Sequence, residues 1–128
     1  MLAPGEIVTR FTLPAPAANT GRTYIKHGRR KAMELATVGV AVSLVKRGET
    51  VHDVRIVLGA VAPTPIRARA AESLLEGRTP DAVLDAAAAA ALAESRPISD
   101  VRASAAYRRR MVGVLVKRAL VQALENVR

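Results

Sequence analysis

The chain alternates apolar and polar positions through its first half and spaces them at helical intervals through its second. Residues 6–13 place Ile7, Thr9, Phe11 and Leu13 on one face and Val8, Arg10 and Thr12 on the other, which predicts a strand. Pro14-Ala15-Pro16 ends it, because proline has no N–H to give to a ladder. Residues 17–21 are small and polar and read as a loop, residues 23–27 as a second strand, and residues 28–33 as a basic loop. Residues 37–45 carry the strongest alternation, with Val38, Val40, Val42 and Leu44 set against Gly39, Ala41 and Ser43. Lys46-Arg47-Gly48-Glu49 reads as a hairpin turn. The return strand, residues 51–58, turns Val54, Ile56 and Leu58 one way and Asp53 and Arg55 the other.

The period then changes. Thr64-Pro65 predicts a helix start, with Thr64 as N-cap and Pro65 at the first helical position. Ile66, Ala70 and Leu74 form its apolar stripe, and Gly77 stops it. Thr79-Pro80-Asp81 opens the next helix, whose six alanines at 86–91 are strong helix formers and permit a close helix–sheet approach. Pro97-Ile98-Ser99-Asp100 is a connector, and Ser104 caps a long last helix. Its buried stripe is Val112, Val116, Ala119, Leu120 and Ala123, with Arg108, Arg109, Arg110, Lys117 and Arg118 around it. Strands followed by helices are the α+β pattern. The expected fold is an antiparallel sheet of three to four strands followed by three helices packed on one face, in a single domain over residues 1–128.

Composition sharpens this picture. A length of 128 residues suits one domain, and half the residues are hydrophobic. With Phe11, Tyr24 and Tyr107 as the aromatics, the core has to come from Val, Leu, Ile and Ala. The lack of Cys excludes disulfides, thiolate metal sites and a Cys nucleophile. His27 and His52 are too few for a His-rich metal site. A net charge of +9 points to an anionic partner, cofactor or nucleic acid, or else to a basic surface from an Arg-rich genome. No apolar run reaches the roughly 18 residues of a membrane span, and the N-terminus has no signal-peptide core. A cytoplasmic location is the expectation.

Chemistry is sparse. The chain has no GxGxxG, no Walker loop and no serine elbow. Glu72, Glu76, Asp81, Asp85 and Glu94 stand singly on helices or turns and read as solvated. Lys26-His27-Gly28-Arg29-Arg30-Lys31 carries four formal positive charges within six residues, either as a solvated basic loop or as an anion or cofactor contact. Arg108-Arg109-Arg110 reads as a solvated helix face. The loops at 58–65 and 96–102 are constrained and are either binding loops or rigid connectors.

The ordered set of segments is more specific than any one of them. It comprises Gly5-Glu6-Ile7-Val8-Thr9 through Leu13-Pro14, then Tyr24-Ile25-Lys26 with Gly28-Arg29-Arg30 and Ala32-Met33-Glu34-Leu35-Ala36. Val54-Arg55-Ile56 with Leu58-Gly59-Ala60-Val61-Ala62-Pro63-Thr64-Pro65 comes next. Pro97-Ile98-Ser99-Asp100-Val101-Arg102-Ala103-Ser104, Tyr107-Arg108 and Lys117-Arg118-Ala119-Leu120 complete the set. Together they resemble the C-terminal domain of the FAD-binding (medium) subunit of molybdenum hydroxylases, the carbon monoxide dehydrogenase and xanthine dehydrogenase flavoprotein family.

That resemblance implies an antiparallel sheet followed by three helices, closing over the isoalloxazine end of FAD. The FAD itself is held mainly by upstream FAD-binding domains whose phosphate loops are absent from this chain. By position, Val8 matches an apolar residue near the flavin ring and Lys26 a lysine that contacts FAD. His27, Gly28, Arg29, Arg30, Met33 and Glu34 match a loop beside the flavin face, where an electron acceptor approaches. Family members often have Asp where this chain has Glu34, whose extra methylene shifts the carboxylate. The implied partners are the FAD-binding domains, a molybdenum-binding large subunit and an iron–sulfur small subunit, which hold the molybdenum cofactor and the iron–sulfur clusters. Electrons pass from molybdenum through iron–sulfur centres and FAD to an acceptor, and the chain is not expected to be active alone. Flavin carries the redox chemistry while the protein positions it, which suits a sequence without nucleophile or general-base motifs.

Two other readings stand beside this one. A stand-alone interaction protein derived from such a domain would use the old interdomain face as an apolar patch. A nucleic-acid-binding module would use the net charge, although aromatics between the basic residues are missing.

Overall fold

The computed structural model describes residues 2–30 and 33–128. Lys31 and Ala32, which belong to the basic stretch and the resembling segment above, lie outside them. Four strands form one antiparallel sheet in the order β1 (Thr20–His27), β2 (Val38–Arg47), β3 (Thr50–Gly59) and β4 (Ile66–Arg67). Three helices follow: α1 (Arg69–Leu75), α2 (Leu84–Glu94) and α3 (Ala105–Glu125).

The alternation in β2 and β3 decides which face is covered. Val38, Val40, Val42 and Leu44 join Val54, Ile56 and Leu58 in one core with Leu75 of α1 and with Val112, Val116, Ala119, Leu120 and Ala123 of α3. Each such Val, Leu or Ile side chain contributes roughly 1.5–3 kcal/mol on burial. Helix α3 lies across β1 and β2, and α1 lies against β3. At Gly21 the end of α3 comes so close to β1 that a Cβ there would run into the carbonyl oxygen of Ala123. The β2–β3 hairpin turns at Gly48-Glu49, with Gly48 at φ +58°, as the first position of a type II′ turn requires. The expected α+β fold, with helices on one face, is therefore present.

Several expected details differ. Residues 6–13 join no sheet among the described residues, and Phe11 is 84% exposed. Their alternation marks a strand face, but no neighbouring edge here supplies its ladder. The strand expected at 23–27 begins earlier, at Thr20. Thr64-Pro65 opens a strand rather than a helix. A residue before proline prefers the extended region, and Ile66 and Arg67 pair with Leu58 and Val57. Ala68 N then donates to Ile56 O at 2.8 Å, which delays the helix to Arg69. The buried positions of α1 are consequently Ala71, Glu72 and Leu75, not Ile66, Ala70 and Leu74. Thr79-Pro80-Asp81 starts a single 3-10 turn (Pro80–Ala82), after which α2 begins. The alanines of α2 pack against α1 and α3 and not the sheet, with Gly113 of α3 opposite Ala88 and Leu92. Among the described residues no helix is long and apolar enough to cross a membrane.

Two glutamates expected in solvent are structural. Glu72 is 7% exposed and accepts hydrogen bonds from Ile56 N (2.9 Å) and from Arg67 Nε (2.9 Å) and Nη2 (2.6 Å), joining α1 to β3 and β4. Glu76 accepts from Asp53 N (3.1 Å) and Val54 N (3.2 Å) where β3 bulges and Asp53 takes φ +50°.

Candidate functional site

The helices cover one face of the sheet and leave the other open. In β1, Thr23 and His27 bond to α3 and Ile25 packs on the core, so Tyr24 and Lys26 project from the open face. The register sets Lys26 beside Gly39 and Gly39 beside Gly59. This row is one ammonium followed by two positions with no side chain. Tyr24, 63% exposed, leans over Gly39, where an added Cβ would stand 3.0 Å from its hydroxyl. A Cβ on Gly59 would meet nothing nearer than the Gly39 carbonyl at 3.9 Å. The result is a stretch of bare backbone in which Gly59 is half-buried and Gly39 is buried beneath the phenol ring of Tyr24, with Lys26 at its edge. A flat ring can lie against such backbone, and the lysine is a mobile point charge for a carbonyl oxygen or an anion at its rim.

The basic loop leaves the end of β1 beside this patch and returns where Thr37 N donates to His27 O at 2.8 Å. Inside it, Glu34 is the organising residue. Its carboxylate accepts from Arg30 N at 2.6 Å and from Arg29 Nε at 3.3 Å, and its side chain is only 6% exposed, wrapped by its own loop. The Arg30 backbone N–H, with help from the Arg29 guanidinium, holds the Glu34 carboxyl below the usual carboxylate range. Arg30 Nη2 reaches Met33 O at 3.4 Å, and Met33 takes φ +50° with its side chain in solvent. His27 Nε2 and Tyr107 Oη share a hydrogen bond of 3.0 Å. On the helix side of the loop, His27, Gly28, Arg29, Arg102, Ser104 and Tyr107 line an open hollow of about 620 Å3.

Behind the loop lies a buried cation. Arg108, on the first turn of α3, is 2% exposed. Its Nη1 donates to Thr37 O (2.7 Å) and Ala60 O (3.0 Å), and its Nη2 to Asp100 Oδ1 (2.6 Å). Arg102 clamps the same carboxylate through Nε (2.9 Å) and Nη2 (2.6 Å), and the N–H groups of Arg102 and Ala103 complete it. The Arg102 guanidinium first, with the neighbouring N–H groups and Arg108, holds Asp100 far below the usual carboxylate range. Arg108 is thus not part of a solvated arginine face. It occupies the stripe of Val112 and Val116, at the same spacing of one helical turn.

The model of the CO dehydrogenase flavoprotein C-terminal domain matches residues 23–123. The chain belongs to this family. Among relatives in this group, the carbon monoxide dehydrogenase medium chain of Hydrogenophaga pseudoflava is 43% identical over 94% of this chain and 42% of its own length. A putative xanthine dehydrogenase FAD-binding subunit of Escherichia coli is 28% identical over 93% of this chain and 41% of its own. The solved carbon monoxide dehydrogenase from H. pseudoflava lacking the Mo-pyranopterin moiety superposes with a TM-score of 0.83. It has 45% identity to this chain and covers 91% of it and 40% of its own chain. This member of the CO dehydrogenase flavoprotein C-terminal family therefore spans about two fifths of the length of these relatives.

Within this family member, Lys26 stands at the end of β1 next to His27, and Glu34 gathers Arg29 and Arg30 of the loop that follows. Val8 lies in the N-terminal segment, which joins no strand among the described residues, and is 52% exposed. Sequence reasoning missed Gly39 and Gly59 as a floor, because only strand register makes them neighbours. It also missed Arg108 and Asp100. The signal for Arg108 was present in its spacing to Val112 and Val116, and the run of three arginines hid it. Among the described residues no group of three or more His, Cys, Asp or Glu is placed to hold a metal ion.

Proposed function

We propose that this chain is the flavin-facing domain of the FAD-binding subunit of a molybdenum-containing oxidoreductase. The observation that carries the reading is Lys26 standing beside the Gly39–Gly59 floor, on the open sheet face of a chain from this family. Gly59 leaves room for a flat ring beside Tyr24, which itself covers Gly39. When bound, FAD supplies the electron relay from molybdenum and iron–sulfur centres in partner subunits to an acceptor.

The residues of this chain do the positioning. Lys26 directs its ammonium at the carbonyl rim of the ring and stabilises negative charge there. Tyr24 borders the ring on the floor. The loop of His27, Gly28, Arg29, Arg30, Met33 and Glu34 limits access beside it, its shape set by the Glu34 hydrogen bonds. Val8 reaches the ring once residues 6–13 pair with the FAD-binding domains of the subunit, which also hold the nucleotide end of the cofactor. The large molybdenum-binding and small iron–sulfur subunits complete the assembly, in the cytoplasm.

The test compares Lys26→Ala with Lys117→Ala in the FAD-loaded subunit. Lys117 is a matched surface lysine, paired with Asp85 at 2.7 Å on the far helices. Lys26→Ala should lower flavin retention or shift the flavin spectrum, and Lys117→Ala should do neither. Equal effects of the two would remove the assignment.

A second reading rests on the exposed Ile7, Phe11 and Leu13. In a stand-alone interaction protein, this segment would recruit a partner with no flavin involved. A colourless, soluble complex indifferent to added FAD would favour it.

A further inference from the structure

The carbonyls that Arg108 holds are not arbitrary ones. Thr37 immediately precedes β2, two residues before Gly39, and Ala60 immediately follows Gly59 at the end of β3. Ala60 leaves the strand in a left-handed turn, φ +61°, so the regular ladder has ended there. Both carbonyls converge on the single nitrogen Nη1. Two carbonyl oxygens facing one another repel unless a donor stands between them, and a charged donor is the strongest kind. The guanidinium cannot swing, because Nη2 is tied to Asp100, and Asp100 is tied in turn to Arg102 and Ala103. A rigid chain of contacts therefore runs from the 97–103 connector, through α3, to the two strand ends that carry the glycine floor.

We propose that Arg108 is a positioning residue for the flavin: from the covered side of the sheet it sets the spacing and height of the two strand ends that carry Gly39, with Tyr24 over it, and Gly59 on the flavin-facing side. The inference rests on the flavin-facing reading above. One further feature supports it. Arg108 Nε is buried with no partner among the described residues, so the site is not optimised for stability. An apolar side chain on this stripe, with Asp100 also replaced, would pack at least as well. What it would lack is one planar group that reaches two carbonyls and a carboxylate at fixed angles.

The experiment uses the FAD-loaded subunit formed by this chain and its FAD-binding domains. It compares Arg108→Met, Arg108→Lys, Val116→Ala and Lys26→Ala by melting temperature, FAD dissociation, flavin visible circular dichroism and flavin reduction potential. Val116 lies on the same buried stripe without touching either strand end through a hydrogen bond, and so reports a purely structural loss. Arg108→Met should weaken FAD by about tenfold or more and alter the flavin dichroism. Arg108→Lys should fall between it and the wild type, and Val116→Ala should keep the wild-type flavin signal. If Arg108→Met and Val116→Ala change the flavin only in step with their loss of melting temperature, Arg108 is a core residue and the inference fails. Should Arg108→Met not fold, Arg108→Lys decides, since a wild-type dichroism and potential there also overturns it. A Lys26→Ala variant with an unchanged flavin would sink the flavin-facing reading itself, whereas a Lys26→Ala effect without an Arg108 effect would sink the positioning role alone.

Discussion

The two faces of the sheet are built from alternate residues of the same strands, yet they follow different rules. On the covered face, Val38, Val40, Val42, Leu44, Ile56 and Leu58 are branched and closely packed, and each charged group that enters, Glu72 or Arg108, is bound by several partners. On the open face, the residues between them are Gly39, Ala41, Ser43, Val57 and Gly59, small for the most part, with Tyr24 and Lys26 at the β1 margin. One face is filled by the core, and the other carries small side chains and is left uncovered by the helices. Substitutions on the first should therefore cost stability, and substitutions on the second should cost binding with little change in stability.

Four measurements sharpen or break this contrast, taken from the largest expected effect on stability to the smallest. Breaking the buried pair with Arg108→Ala leaves Asp100 and two carbonyls uncompensated and should destabilise the chain by roughly 3–5 kcal/mol in urea unfolding. A loss under about 1 kcal/mol would mean the guanidinium is solvated after all. Ile56→Ala removes a fully buried side chain from the middle of the sheet and should cost about 2–5 kcal/mol by the same measurement. A cost no greater than that of Val57→Ala would erase the distinction between the faces.

Acid tests the polar side of the covered face. Asp100 is held below its unfolded pKa, so the stability it contributes is full above that value and is lost as pH falls toward the folded one. Unfolding midpoints should therefore begin to drop below about pH 4, and Asp100→Asn should flatten that drop. An identical acid limb in the variant would show that other carboxylates control it. On the open face, Gly59→Val should change stability by less than about 1 kcal/mol, since the added side chain meets nothing closer than 3.9 Å at its Cβ. It should still reduce FAD retention by the assembled subunit. Full retention would mean that the ring does not lie on this floor.

How much of this was legible in the sequence follows from how local each signal is. The hairpin of β2 and β3 was readable because its alternation and its Gly48 turn lie within one continuous stretch. The stripe of α3 was readable for the same reason. Thr64-Pro65 misled because a helix-start signature also suits a short extended pair, and the choice was made by hydrogen bonds to β3, distant in sequence. Residues 6–13 show a strand pattern but pair with no strand among the described residues. Lys26 was singled out through family resemblance, but its neighbours Gly39 and Gly59 needed the register of three strands. Glu72, Glu76 and Arg108 looked solvated, because charge alone does not reveal a backbone amide or carbonyl waiting opposite.

The placement of β1 has one more consequence. It is an edge strand that pairs with no further strand on its outer side among the described residues, where Arg22 O accepts from Asn126 Nδ2 at 3.1 Å, whereas β4 at the other edge is only two residues long and offers little to pair with. Exposed edges invite another chain to add a strand, and charged side chains along them discourage it. Arg22 and Lys26 stand along this edge, so Lys26 also guards against self-association. Preparations of Lys26→Ala should aggregate faster on warming than those of Lys117→Ala, and flavin binding by that variant is best measured on the freshly isolated, non-aggregated fraction.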